Sequence, residues 1–114
     1  MKRLTKRKAL EICRELWVWL ADHPEKWKNE WPGWEKYGKM KAYCPCCEYN
    51  EQHGYHYCNA ACLIKWPGGI CLNDFSPYRQ WAGAISPAIR TKYARKIVKL
   101  CDEALARLPK RKKK

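Results

Sequence analysis

Between Lys6 and Asp22, apolar residues recur at Ala9, Ile12, Cys13, Leu16, Trp19 and Leu20, the spacing of one buried helical face. Trp17 and Val18 widen that face. Thr5 stands where a capping hydroxyl belongs, and Asp22, His23 and Pro24 end the pattern because proline disfavours helix in the residue before it. The spacing predicts a first helix over 6–22. The next segment, PEKWKNEWPGWEKYGK, predicts a short helical turn from Pro24 that Pro32-Gly33 breaks. Trp27, Trp31 and Trp34 can then share one side, either as an aromatic clamp over the first helix or as a base-stacking or partner-binding surface.

Two later starts carry a clearer signal. Ser76-Pro77 and Ser86-Pro87 each set a hydroxyl cap before a proline suited to the first helical position. The first opens a short helix with Tyr78, Trp81 and Ala82, ending near Gly83-Ala84. The second opens a long one whose Ile89, Tyr93, Ile97, Leu100, Cys101, Ala104, Leu105 and Leu108 form a stripe up to Pro109. Neither long helix can bury its face alone, so the two are expected to pack antiparallel, with Cys13 and Cys101 as small core thiols. The expected fold is mainly α: one small helical domain over 9–108 with an inserted cysteine-rich zinc-binding loop region at 43–72. A basic N-terminal arm and helix start at 1–8 and a basic tail at 109–114 flank it.

That inserted region changes the picture most. Residues 44–62, CPCCEYNEQHGYHYCNAAC, hold a C-x2-C pair, Cys44 and Cys47, and a C-x3-C pair, Cys58 and Cys62. Two short-spaced pairs suit tetrahedral zinc, because each forms a knuckle presenting two sulfurs to one point. The expected ligands are Cys44, Cys47, Cys58 and Cys62, with Cys71 as the alternative to Cys58 or Cys62. Cys46 is adjacent to Cys47 and is expected to be a supporting or spare thiol, while His53 and His56 are expected to be solvated or hydrogen-bonded. Four thiolates leave no open coordination position, so the zinc is expected to be structural and the protein not an enzyme. The histidine–glutamate and P-C-x-x-C pattern of zinc deaminases is absent, and no strand-helix frame supports a nuclease built on His53 or His56.

The longest apolar run, Leu16 to Ala21, is six residues, far short of the roughly eighteen of a membrane span. Glu11, Arg14 and Glu15 interrupt the apolar stretch a secretory leader would need, so the cytoplasm is expected, where thiols stay free or bind metal. The formal charge is +13. Ten of the 24 Lys and Arg residues sit at the ends, so the 14 that remain face 11 acidic residues and leave the body at +3. The end groups are Lys2, Arg3, Lys6, Arg7 and Lys8 in front and Lys110, Arg111, Lys112, Lys113 and Lys114 behind. Such runs attract phosphate without reading bases.

The combination of WPGW at 31–34, AYC at 42–44, CEY at 47–49, WPGGIC at 66–71 and SPYRQW at 76–81 resembles small zinc-knuckle proteins of tailed bacteriophages. These place a helix ahead of C-x-x-C-E and end in a helix, and the resemblance covers residues 9–108. The C-x3-C spacing of Cys58 and Cys62 departs from the C-x2-C of that pattern and leaves Cys58, Cys62 and Cys71 open as ligands. The resemblance implies a bacteriophage context, the host cytoplasm, and small accessory proteins that act on host machines.

Two functions follow from these features. One is a non-catalytic module that binds DNA or RNA through its basic ends and through Arg90, Lys92, Arg95, Lys96 and Lys99, of which Lys92, Lys96 and Lys99 form a ridge along the last helix. The other is an inhibitor of a host protein or ribonucleoprotein, anchored by Trp34, Tyr55, Tyr57 and Trp66. No small-molecule substrate and no membrane partner is expected.

Overall fold

The computed structural model describes residues 3–40, 43–54, 62–67, 71 and 76–108. Helix α1 spans Lys6–Asp22, as the spacing predicts. Thr5 Oγ1 accepts the Lys8 N–H at 3.0 Å, which satisfies one of the amides that no helical turn precedes. Ala9, Ile12, Cys13, Leu16, Trp17 and Leu20 are buried, whereas Val18 lies on the surface. At the far end the His23 ring stacks on Trp19 and its Nδ1–H donates to the Trp19 carbonyl at 2.8 Å.

The Trp-rich segment departs from expectation. Pro24 opens only a turn, followed by a 3-10 turn at Lys28–Glu30, and helix α2, Gly33–Tyr37, begins where a break was expected. Proline breaks a helix from within, but at its start the missing N–H is one no helix would use. Pro32 sits there with φ −63°. Trp31 folds back across Gly33 and meets Trp34 edge-on at 5.0 Å and Tyr37 face-on at 5.9 Å.

Helix α3 runs Pro45–Gln52, α4 Pro77–Gly83 and α5 Pro87–Ala106. Part of the presumed cysteine loop is therefore helix, because Cys44 caps it with its own sulfur and Pro45 opens it. Ser76 caps α4 by accepting the Arg79 N–H at 3.3 Å. Ser86 occupies the same place before α5 but makes no side-chain cap. The described residues contain helices and no strand, so the chain is mainly α.

On α5 the buried positions are Arg90, Ala94, Ile97, Cys101 and Ala104, the last three on the expected stripe, with Tyr93, Leu100, Leu105 and Leu108 half-buried beside them. The departure lies in the first turn, where Arg90 is buried in place of Ile89. Its guanidinium lies 4.7 Å from the Trp27 ring centre and 4.5 Å from that of Trp81, and it donates to the carbonyls of Pro24 at 2.6 Å and Lys26 at 3.2 Å. Ile89 consequently faces out, 45% exposed. Arg90 is thus a packing residue and not part of a cationic surface.

The two long helices pack antiparallel, as expected. Arg14 pairs with Asp102 at one end, and Thr91 Oγ1 donates to the Ala21 carbonyl at 3.0 Å at the other. Trp81 on α4 is fully buried and meets Trp17 edge-on at 4.8 Å, which closes one side. α3 packs on α1 and is held to the N-terminal arm. Gln52 Oε1 accepts the Leu4 N–H at 2.6 Å, His53 Nε2–H donates to the Leu4 carbonyl at 3.1 Å, and Arg3 Nη2 donates to His53 Nδ1 at 3.1 Å. No helix among the described residues is long and apolar enough to cross a membrane.

A Cβ placed on Gly33 would stand 2.3 Å from Trp31 Cζ2, and Trp31 is buried. Gly33→Ala must therefore displace that ring from the core, and its expected cost is about 1–3 kcal/mol. Denaturant unfolding followed by tryptophan fluorescence measures the loss.

Candidate metal centre and nucleic-acid interface

The first cysteine pair is built from backbone geometry. Tyr43 takes a left-handed φ of 49°, unusual for a side chain of its size, and its ring tilts against Trp34 at 5.8 Å. That bend delivers Cys44 to the start of α3, where its Sγ accepts the Cys47 N–H at 3.4 Å. A backbone amide aimed at sulfur in a C-x2-C turn is the support a thiolate ligand needs. From the other side comes Cys62, whose Sγ accepts the Trp66 Nε1–H at 3.3 Å.

Cys46 is not spare. It is fully buried, and the neighbouring Cys13, Cys44 and Cys62 thiols, together with burial, push its pKa well above the ordinary value, so it keeps its proton. Cys44 is lowered well below the usual thiol range by Cys46 and Cys47, with a further contribution from Lys28. Cys62 is lowered by Cys46, by the Ile64 amide and by Trp66. Deeper still, Cys13 on α1 receives hydrogen bonds from Cys101 on α5 and from Cys46, and is lowered to about 6. Cys101, on the donating side and buried, is raised. The thiols thus form a chain from the α1–α5 contact out to the first cysteine pair.

Lys28 completes the electrostatics. Burial opposes its charge, but Tyr78 and the thiols of Cys44 and Cys47 outweigh this and raise its pKa. Its ammonium lies 4.5 Å from the Tyr78 ring centre. A cation held beside these sulfurs favours their thiolate form.

Comparison with protein-family models, curated proteins and solved structures gave no match. The geometry alone therefore carries the reading. Among the described residues, no group of three or more His, Cys, Asp or Glu side chains stands ready to hold a metal ion. The expected ligand Cys58 lies outside the described residues, as do His56, Tyr55 and Tyr57. Cys44, Cys47 and Cys62 are described, and Cys71 is half-buried with its carbonyl accepting from Ser76 Oγ. Cys44, Cys47, Cys62 and Cys71 are thus not gathered into one donor set, although Cys44 and Cys62 carry features a thiolate ligand uses: lowered thiol pKa values and an amide or indole N–H aimed at sulfur.

The predicted binding residues divide. Lys92, Lys96 and Lys99 are exposed on α5, as is Arg95. Lys96 and Lys92 lie 4.9 and 5.5 Å from the Tyr93 ring centre. Arg3, Lys6 and Lys8 are exposed and Arg7 half-buried, while Lys2, Lys110, Arg111, Lys112, Lys113 and Lys114 lie outside the described residues. Trp34 and Trp66 are core residues, 8% exposed each, with their indole N–H groups donating to the Lys28 carbonyl and to Cys62. Their surface role as partner anchors does not fit this burial. Large rings in a short chain go inside when both body and N–H find partners. Sequence reasoning missed Lys28 and the roles of Trp66 and Tyr43; nothing in their spacing to the cysteines announces them.

The zinc expectation assigns Cys44 and Cys46 different roles. Cys44→Ser is expected to remove bound zinc, whereas Cys46→Ala is expected to retain close to one equivalent and lose about 1–2 kcal/mol of stability. Elemental analysis together with denaturant unfolding of both variants reads the difference.

Proposed function

We propose that the protein is a zinc-stabilised, non-catalytic module that binds nucleic acid through a cationic end and the exposed face of α5. The observation that carries this reading is the antiparallel packing of α1 and α5. It sets the start of α1 beside the end of α5, so the two segments of sequence richest in Lys and Arg adjoin the same end of the helix pair. From there Lys99, Lys96 and Lys92 continue along α5 at spacings of three and four residues. Cationic runs that enter and leave the helix pair at one end attract phosphate together, and each neutralised phosphate releases counterions. Zinc, when bound, would be held by Cys44, Cys47 and two of Cys58, Cys62 and Cys71, and would tie the middle of the chain to the helices.

Leu4 is buried and Thr5 caps α1, so removing the first eight residues would damage the fold. Charge substitution avoids this. A variant with Lys2, Lys6, Lys110, Arg111, Lys112, Lys113 and Lys114 changed to Gln is expected to bind labelled nucleic acid at least tenfold more weakly in low salt. Its affinity is also expected to fall less steeply with added salt than that of the natural protein. Fluorescence anisotropy across a salt series gives both readings, and salt-independent silence of the natural protein refutes the proposal.

One observation favours a second reading, an inhibitor that docks on a host protein. Ile85 is 98% exposed, and Ile89, Trp27 and Val18 are exposed as well. Trp27 contacts Arg90, next to Ile89, and Thr91 bonds to Ala21 near Val18, so these groups gather at the end of the bundle away from the cationic one. Exposed apolar groups of this kind mark protein contacts when they cluster. Ile85→Asp with Ile89→Asp is then expected to abolish capture of a partner from nuclease-treated bacterial lysate, with nucleic-acid affinity unchanged.

A further inference from the structure

We infer that the groove between α4 and α5 takes one or two nucleotides of a single strand, with an unstacked base on Tyr93 and the phosphates on Lys96 and Lys99. This inference rests on the nucleic-acid reading and goes beyond it in naming the form of nucleic acid and the residues that select it. The groove has a volume of about 580 Å³ and lies open to solvent. Lys96, Lys99 and Tyr93 line its α5 side, with Leu100 among them, and Pro77 and Gln80 come from α4. The combination is an aromatic ring and apolar side chains for a base, a primary amide for its edge, and two ammonium groups for phosphate.

The concave shape decides between duplex and single strand. A duplex is read by an element that projects into its grooves, whereas a recess beside an aromatic ring accepts a base only if that base has left its stack. Tyr93 is already a cation-binding ring, with the Lys96 ammonium 4.9 Å from its centre. A base entering over that face displaces the ammonium, and the phosphate next to the base receives it. Charge and ring thus exchange partners without leaving either unsatisfied. Glu103 also borders the groove. Its carboxylate repels phosphate at that edge and directs the backbone toward Lys96 and Lys99.

Pro67 forms part of the wall, one residue beyond the Trp66 that donates to Cys62.

The test compares a short fluorescein-labelled single strand with its matching duplex by anisotropy, using the full chain loaded with zinc. Lys99→Glu, at an exposed position, and Tyr93→Leu are each expected to weaken single-strand binding about tenfold and leave the duplex within about twofold. A strand carrying 5-iodouridine is expected to photocrosslink to Tyr93, a readout independent of how well Tyr93→Leu folds. Equal losses for single strand and duplex overturn the inference, as does a crosslink elsewhere. Loss confined to the Gln variant of the basic ends overturns it too, while leaving the nucleic-acid reading intact. Absence of binding to either form removes both.

Discussion

Two helices with one apolar face each cannot remain apart in water, and the contact between α1 and α5 is the constraint on which the rest of the molecule is arranged. It buries Ile12, Leu16, Leu20, Ile97 and Ala104 and brings Cys13 against Cys101. Everything else leans on that pair. α4 seals it with Trp81, α3 reaches it with Cys46, and the Trp-rich segment is tied to it through Arg90. The candidate metal centre is therefore continuous with the core, through hydrogen-bonded sulfurs that begin inside the helix pair.

Much of the helical framework was legible from periodicity and capping chemistry. The bounds of α1 follow from Thr5 and Pro24, those of α4 from Ser76-Pro77 and Gly83, and the antiparallel pairing from two unmatched faces. What escaped depended on contacts distant in sequence. Arg90 reads as a surface cation until two indoles and two carbonyls are seen around it, and at the first turn of α5 it takes the buried place expected of Ile89. Pro32-Gly33 reads as a break because the same dipeptide stops a helix from within and starts one from outside. The ring of Trp31 over Gly33 settles which applies here.

The cysteine region shows the same division. Spacing singled out Cys44 and Cys47, and in the fold the Cys44 sulfur caps α3 by accepting the Cys47 N–H. Spacing set Cys46 aside as a supporting or spare thiol without showing that it lies fully buried beside Cys13, and it was silent on Lys28, sixteen residues upstream of Cys44. Burial also reversed the reading of two tryptophans. A ring large enough to anchor a partner is also large enough to fill a core, and in Trp34 and Trp66 the N–H groups found internal acceptors.

Arg90 has a mechanical consequence as well. Because one side chain holds the carbonyls of Pro24 and Lys26 while riding on the first turn of α5, the 24–31 segment and that turn move as a single body. Local opening of either would strand a guanidinium between two indoles with its carbonyls lost. The first turn of α5 and the chain around Pro24–Trp27 therefore lose the same contacts if either opens.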